Sequence, residues 1–447
     1  MRNSSQLLKI RSIGLRKRRG IVPPRGRIPL QARAWLVWIV SLLFVLFQFF
    51  LQLSSAEMIS GLMKSFSLSA SGGSLLVGSY YYIYVLLQSP AGMMLDLYGP
   101  RRVLSAGALL VVFGCLLFGL APNVLLAVLG RLLMGAGAAF AFVGSLNLIS
   151  KWFPANRFGL MAALAETFGM LGSLVGTLFL AMAVSSVGWR YCMVVAAVIS
   201  AVLVVLLWSV IRDAPDNVVS ISATSKERWW HDIKDLMRNK LTWLNGLYYG
   251  GLLLVVTIFI ALWAIPFLQV TYGMSLMRAT ELSDLVFIGI AISGPLFGWL
   301  DARLASRKGF MAISPMCAAL IMVVIIYIPH LTILDIAILM LALGLCLASY
   351  VVSFVISNEL SAPGARTTSL GIVNALGVGT APVFGPVVAW VLDHPVSLSG
   401  SHVISKALPY QEAFSVLILC LLVTSIIGYV LPNRPDTIVD TEALTEE

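Results

Sequence analysis

Two of the charged residues inside the long apolar runs of this sequence are the first candidates for chemistry. Glu166 lies well inside the run near 159 to 184, and Arg131 lies inside the run near 124 to 149. An ionisable side chain in such a run is expensive to bury, so it usually marks a functional site or a specific pairing. Glu166 could exchange a proton or bind substrate charge; a buried, hydrogen-bonded structural role is the alternative.

The residues after Arg131 have a spacing that allows close helix packing. Gly135 and Gly137 follow at four and six residues, so a second helix can approach while Arg131 faces protein or water instead of lipid. Arg131 could take part in substrate or proton coupling, or it could bond backbone carbonyl groups in a structural role. Glu57, at the end of the first apolar run, is a candidate partner for Arg131 unless it is simply solvated.

A short polar segment from Gly92 to Arg102 separates two apolar runs. Gly99 followed by Pro100 predicts the end of a helix. Asp96 stands in the last turn of that helix, at the negative end of its dipole, where a carboxylate needs a cation or another helix N-terminus as partner. Arg101 and Arg102 are the nearest candidates for that partner.

This segment closely resembles the loop signature of the major facilitator superfamily, which joins the second and third membrane helices on the cytoplasmic side. Arg131 with its two glycines is similar to another signature of that family, on the fourth helix. The resemblance covers residues 33 to 432. It implies that one closed state is stabilised by a conformational latch made of Gly92, Asp96, Gly99, Arg101 and Arg102.

The chain repeats this arrangement in its second half. Arg101 and Arg307 are 206 residues apart, and Arg157 and Arg366 are 209 residues apart. Two near-equal offsets predict an internal duplication, which is common in secondary transporters.

The second copy of the loop departs from the family signature. Ala302 occupies the usual Asp position, and Asp301 stands one residue early. We therefore expect a latch made of Asp301, Arg307 and Lys308 to be weaker than the one at Asp96, or differently aimed.

Polar and aromatic side chains inside the apolar runs are candidates for lining a solute cavity. Tyr81, Tyr84 and Gln88 share one helix face by their three- and four-residue spacing. Aromatic rings with polar tips suit a small amphipathic solute, although the outer ones could instead form an interfacial belt. The full set of candidates is Tyr81, Tyr84, Gln88, Asn147, Tyr248, Tyr249, Trp263, Tyr350 and Asn374.

These residues must be positioned by membrane-spanning helices. We count twelve apolar runs of about 20 residues, the length needed to cross a bilayer. With 59% hydrophobic and 11% charged residues, the chain has the composition of a polytopic membrane protein. The predicted fold is an all-α membrane protein of the major facilitator type, with 12 transmembrane helices in two six-helix bundles.

The predicted domain organisation follows the apolar runs and the polar segments between them. It comprises a basic cytoplasmic tail at 1–34, an N-terminal bundle at 35–211, a cytoplasmic linker at 212–241, a C-terminal bundle at 242–431 and a cytoplasmic tail at 432–447.

The orientation follows from the basic residues. If both termini are cytoplasmic, 25 of the 30 lysines and arginines lie in cytoplasmic tails and loops, as the positive-inside rule requires. The same rule explains the net charge of +10 without nucleic acid as a partner. We therefore predict a multi-pass protein of the bacterial inner membrane with both termini inside.

Motifs for catalysis or metal binding are missing from the sequence. There is no phosphate-cradling Gly-Lys-Ser or Gly-Lys-Thr motif, and the four histidines lack metal-ligand spacing. The five cysteines fall inside apolar runs and read as small buried hydrophobic residues. We predict no enzymatic activity, no cofactor and no metal site.

The family resemblance implies secondary active transport by alternating access. The expected partners are a small organic solute (an organic anion, an amino acid or a similar metabolite), the lipid bilayer and protons as coupling ion, with the protein acting as a monomer. Two alternatives stay open: an exporter of a siderophore or drug-like compound, and a transport-inactive receptor or scaffold.

Overall fold

A computed structural model describes residues 30–215, 226–304, 306–328, 330–362, 364–393 and 408–433. These residues form helices and short connections, with no strand in the described ranges. Most of the predicted N-terminal tail, part of the predicted linker and nearly all of the predicted C-terminal tail lie outside the described residues.

The first half of the chain forms six spans, of which the fourth is built from two helices. These helices are α1 (Leu30–Phe66), α2 (Ala70–Tyr98), α3 (Pro100–Gly119), α4 (Val124–Ala138), α5 (Ala141–Trp152), α6 (Phe158–Val187) and α7 (Trp189–Val210). The stop at Gly99 is as predicted, because Gly99 has a positive φ of 81° and Pro100 begins the next helix.

The second half begins with a short polar helix, α8 (Lys226–Arg238), and then repeats the six-span order. Counted along the whole chain, the seventh span contains a π-helical segment at Val255–Trp263, and the tenth span contains a 3-10 turn at Ala348–Val351. The membrane helices are α9 (Lys240–Leu254), α10 (Ala264–Tyr272), α11 (Leu276–Arg303), α12 (Lys308–Tyr327), α13 (Ile333–Leu347), α14 (Val352–Leu360), α15 (Arg366–Asp393) and α16 (Leu408–Val430).

Length and composition identify the membrane spans. Among the described residues, ten helical stretches are long and apolar enough to cross a bilayer. The long helices α2 and α6, of 29 and 30 residues, run beside them and complete the twelve spans of the fold.

The internal duplication is visible in the packing of the fourth span of each half. Gly135 on α4 lies against the backbone of Tyr80 on α2, and Gly344 on α13 lies against the backbone of Val286 on α11. Both spans break a few residues later, at 139–140 and at Ala348–Val351. In each half, a glycine without a Cβ lets the fourth span approach the second.

Two seams join the bundles. In the N-terminal bundle α1 packs on α6 and α3 packs on α4 and α7, while in the C-terminal bundle α11 packs on α13 and α12 packs on α16. Contacts between bundles run mainly along α2 with α15, called the first seam, and along α6 with α11, called the second seam. The end of the molecule that holds Asp96, Asp301 and the start of α15 is called the linker face.

Candidate functional site

Asp96 is held across the first seam by the beginning of α15. One carboxylate oxygen accepts the backbone N–H of Thr368 at 3.0 Å and the Thr368 hydroxyl at 2.9 Å. The first N–H groups of a helix lack partners within it and carry partial positive charge, which a carboxylate satisfies. Of the two alternatives, the helix N-terminus holds Asp96, and it comes from the other bundle in place of the candidates Arg101 and Arg102.

Arg101 turns away from Asp96 towards the end of α7. Its backbone N–H donates to Asp213 at 3.0 Å, its Nε donates to the Trp208 carbonyl at 2.9 Å, and its guanidinium lies 4.5 Å from the Trp208 ring. Gly99 is also packed against the Asp213 carboxylate. Arg102 is exposed to solvent. Arg101 and Gly99 therefore fix the loop to its own bundle.

Glycines allow the two helices of the first seam to pack closely. A Cβ on Gly92 would overlap the backbone of Thr367 and Thr368, and a Cβ on Gly371 would overlap the backbone of Gln88. Gly92 thus lets α15 come near enough for Asp96 to reach its first turn. Asn147 on α5 adds a hydrogen bond from its side-chain amide to the Thr367 hydroxyl.

The second seam has the same kind of contact. A Cβ on Gly298 would overlap the backbone of Gly159, and the Thr167 hydroxyl donates to the Ala291 carbonyl at 3.4 Å. These contacts, like those of the first seam, lie in the halves of the helices nearest the linker face.

Two charged residues of the second loop, Asp301 and Arg307, are buried inside the C-terminal bundle. Arg307 pairs with Asp301 at 3.2 Å and with Glu359 at 2.9 Å, and the Arg307 and Asp301 side chains are 2% and 1% exposed. Lys308 lies over the Tyr429 ring at 5.9 Å. These contacts lie within the C-terminal bundle, and the latch expected from Asp301, Arg307 and Lys308 stays a prediction.

Glu166 lies between the bundles, where it meets aromatic residues of the other half. The Tyr350 hydroxyl donates to Glu166 Oε1 at 3.2 Å, and the Tyr350 ring lies 5.3 Å from the Tyr249 ring. The Tyr249 hydroxyl donates to Asn374 Oδ1 at 3.2 Å. Glu166 is 7% exposed, so this bond between α6 and the 3-10 turn at Ala348–Val351 lies away from solvent.

Two amide side chains complete this group. The Tyr84 phenol lies beside Gln88 and Asn374, and both amides are buried. Among the described residues, the two amide atoms of Gln88 and the Nδ2 of Asn374 lack hydrogen-bond partners. We call Tyr84, Gln88, Glu166, Tyr249, Tyr350 and Asn374 the central cluster.

Arg131 is fully buried inside the N-terminal bundle. Its guanidinium donates to the Leu51 and Val77 carbonyls, each at 3.3 Å, and lies 4.8 Å from the Tyr80 ring. This arrangement fits the structural alternative, in which arginine bonds backbone carbonyls. The side chain of Glu57, its other candidate partner, lies outside the described side chains.

The remaining cavity candidates lie elsewhere. The Tyr248 hydroxyl donates to Met311 and Ser349 inside the C-terminal bundle, so Tyr248 faces away from the seams. Asn147 lies in the first seam near the linker face, and Tyr81 packs edge-on against Tyr80. Trp263 is half-buried at the end of the π-helical segment.

The structure adds two residues that the sequence analysis did not single out. Thr368 is the partner of Asp96, and no local feature of the sequence marks it. Asp284 is exposed on α11, seven residues before Ala291 and fourteen before Gly298, and therefore on the line of α11 that faces α6. The sequence signal that could have found Asp284 is an ionisable residue inside the eighth apolar run.

Comparisons with known proteins give the same fold and family. The family model described as Major Facilitator Superfamily matches residues 37–386. Among solved structures, the chain is similar to the proton:xylose symporter XylE, with a TM-score of 0.70, 15% identity and coverage of 90% of this chain and 97% of that one. It is also similar to the E. coli fucose:proton symporter FucP, with a TM-score of 0.64, 15% identity and coverage of 89% and 100%.

Curated relatives are transporters and not enzymes. The chain is 25% identical over 282 residues to the uncharacterized transporter YybO of Bacillus subtilis (strain 168), covering 59% of this chain and 64% of the relative. It is 24% identical over 216 residues to the probable sulfoacetate transporter SauU of Cupriavidus necator, covering 48% and 47%. A probable L-galactonate transporter of Escherichia coli (strain K12) is 23% identical, with coverage of 67% and 71%.

The first two matches thus span less than two thirds of the relatives' own length, whereas the family model and the fold extend over both bundles. On this basis the chain belongs to the major facilitator superfamily.

Proposed function

We propose that the protein carries a small organic solute across the bacterial inner membrane together with protons, by alternating access and as a monomer. The observation that carries this proposal is the buried hydrogen bond from Tyr350 to Glu166, which joins the two bundles beside the second seam. An intramembrane carboxyl group at a moving interface can link protonation to a conformational change. Relatives named as probable sulfoacetate and L-galactonate transporters, and fold neighbours named as proton symporters, support it.

The proposed orientation places the linker face in the cytoplasm. Arg101, Lys151 and Arg307 lie there, together with α8 and its basic residues, and basic residues concentrate on the cytoplasmic side of membrane proteins. With this orientation, the glycine contacts at Gly92 and Gly298 close the path to the cytoplasm. The conformation described above is then the state that is closed inside.

Glu166 is positioned to act on the second seam. The next residue, Thr167, bonds the Ala291 carbonyl across that seam, and Tyr350 bonds Glu166 from the other bundle. Gaining a proton turns one carboxylate oxygen from an acceptor into a donor. The Tyr350 bond to Oε1 then loses the negative charge that strengthens it, and the new donor needs an acceptor, so protonation changes the hydrogen bonding that joins the bundles.

The test measures internal pH in proteoliposomes that carry the purified protein while pooled metabolites are added outside. We expect solute-dependent proton movement with the wild type and its loss in Glu166→Gln. Glu281→Gln is the matched control, because Glu281 is exposed at the start of α11 and pairs with Arg278. Solute equilibration without any pH change would exclude proton coupling, and proton movement that opposes solute movement would indicate an exporter.

A second pair of variants isolates the bond between the bundles. Tyr350→Phe removes the donor to Glu166, whereas Tyr248→Phe removes a hydroxyl that bonds within one bundle. We expect the first variant to change the pH dependence of uptake and the second to change only thermal stability. Equal effects of the two variants on the pH profile would contradict the role given to Tyr350.

A further inference from the structure

Beyond its end at the linker face, where Arg157 lies, the second seam carries two acidic side chains. Glu166 lies in the central cluster, and Asp284 lies farther from the linker face on the line of α11 that faces α6. The sequence places two basic residues inside predicted spans. They are Arg131 and Arg190, and Arg190 stands at the start of α7. A solute at the central cluster therefore lies beside a carboxyl group.

Arg131 does not offset these carboxyl groups. It is fully buried, and its guanidinium is bonded to the carbonyls of Leu51 and Val77 and covered by the Tyr80 ring. All these partners belong to α1 and α2 of the same bundle. An anion brought to the central cluster would lose its hydration beside a carboxyl group without an accessible cation, which is strongly unfavourable.

The central cluster offers unpartnered hydrogen-bonding groups from both bundles. Within the described residues, neither amide atom of Gln88 on α2 nor the Nδ2 of Asn374 on α15 makes a hydrogen bond of good geometry, and the Tyr84 phenol is the polar group beside both amides. Gln88 is fully buried and Asn374 is 2% exposed. Because buried polar groups are normally hydrogen-bonded, these three atoms indicate a partner that enters between the bundles.

The mixture of donors and acceptor limits the chemistry of that partner. An ammonium group only donates, so it would leave the Gln88 and Asn374 nitrogens without acceptors. Hydroxyl and carboxamide groups both donate and accept, so a few of them can satisfy Gln88, Asn374 and the second carboxyl oxygen of Glu166 together.

We infer that the solute carried at the central cluster is uncharged and bears hydroxyl or amide groups. This inference rests on the proposed transport function and adds the substrate class to it. It has an electrical consequence: one uncharged solute moving with one proton carries one positive charge across the membrane. A monovalent anion moving with one proton would carry none.

The first test is a thermal-shift screen of the full-length protein in detergent. Three sets of small metabolites are matched in size: uncharged polyols, sugars and amides; carboxylates and sulfonates; and primary amines. A solute that binds the folded state raises the unfolding temperature. We expect the largest increase from an uncharged compound. A largest increase from an anion or an amine, or no increase from any uncharged compound, would overturn the inference.

Substitutions tie the binding to the cluster. Gln88→Leu and Asn374→Leu should each weaken binding of the best uncharged compound at least tenfold, with the solute-free unfolding temperature as a check on folding. Gln269→Leu is the matched control, because Gln269 is exposed on α10. Unchanged affinity in both cluster variants would place the binding elsewhere and overturn the inference.

Uptake into proteoliposomes separates this inference from the proposed function. An inside-negative potassium diffusion potential should accelerate uptake of the uncharged compound severalfold. Proton-coupled uptake of an anion, insensitive to the potential, would keep the proposed function and remove this inference. Uptake of the uncharged compound without proton movement would keep this inference and remove proton coupling from the proposed function.

Discussion

The two seams between the bundles share one packing device but end differently at the linker face. In the first seam, Gly92 admits the start of α15, and Asp96 caps that helix from the other bundle. In the second seam, Gly298 admits the start of α6, but α6 begins without a side-chain cap. Ala302, which stands at the repeat position of Asp96, has no side-chain acceptor.

The carboxylates near the second seam have a different use. Asp301 and Glu359 neutralise Arg307 inside the C-terminal bundle, where the three charges are shielded from solvent. The duplicated fold therefore has glycine contacts in both halves, but a cap from one bundle to the other in only one half. Close packing defines where the bundles meet, and Asp96 adds a polar contact that the proposed opening at the linker face would break.

The largest expected effect comes from removing the buried cation of the second loop. Arg307→Met would leave the buried Asp301 and the largely buried Glu359 without their partner, and breaking a buried pair in this way costs about 3–5 kcal/mol. We expect a large decrease in the unfolding temperature in detergent. Asp96→Ala should decrease it far less, because its partners are a backbone N–H and a hydroxyl.

Arg303→Met is the control for this comparison. Arg303 is exposed and lies over the Trp299 ring at 4.7 Å. If Arg307→Met were no more destabilising than Arg303→Met, the assignment of a permanent structural role to the second loop would be wrong.

The next effect should be equal in the two seams. Gly92→Ala and Gly298→Ala each place a methyl group against the backbone of the other bundle. Overpacking of this kind costs about 1–3 kcal/mol, here against the state closed at the linker face. Distances between spin labels at Arg102 and Ala362, and at Arg157 and Leu304, should both lengthen in a larger fraction of molecules.

Gly309→Ala is the matched control, because a Cβ there meets nothing within 4 Å. An effect of Gly92→Ala without an effect of Gly298→Ala would show that the seams do not share the packing device.

Much of this architecture is predictable from the sequence, because its determinants are local. A span needs about 20 apolar residues, and Gly99 with Pro100 marks a helix end wherever it occurs. The repeat at 206 and 209 residues follows from aligned loops. The partner of Asp96 is not local: Thr368 is 272 residues away, and only the docking of the bundles brings the start of α15 to the carboxylate.

The tyrosines of α9 show the same limit at the central cluster. Tyr248 and Tyr249 are adjacent and about 100° apart around the helix, so one enters the C-terminal bundle and the other reaches Asn374. The helix is apolar on all sides, and its sequence therefore does not tell which face looks inward. Glu166 was identifiable because a carboxyl group in an apolar run is conspicuous, but Tyr350 as its partner was not.

Removing the cap of the first seam should have a smaller effect than the glycine substitutions. Losing an acidic cap costs about 0.5–2 kcal/mol, so Asp96→Ala should shift the ratio of closed to open molecules about 2- to 30-fold. The label pairs named above measure this ratio. Asp96→Asn keeps an acceptor for the Thr368 N–H and should shift the ratio less. An equal shift in both variants would mean that charge, and not the hydrogen bond, holds α15.

The smallest effect is expected from adding a cap to the second seam. Ala302→Asp places a carboxylate at the position that Asp96 has in the first seam, near the uncapped start of α6. A carboxylate at a helix N-terminus contributes about 0.3–1 kcal/mol, so the ratio of closed to open molecules should rise about two- to fivefold. The effect should be clearest in the Asp96→Ala background, where the added cap replaces part of what was lost, and Ala302→Asn is the neutral control.

No gain in that background would indicate that Arg307, which already binds Asp301 one residue earlier, captures the new carboxylate. Two features would then explain why only the first seam has a cap: the alanine at position 302 and the position of the buried Arg307.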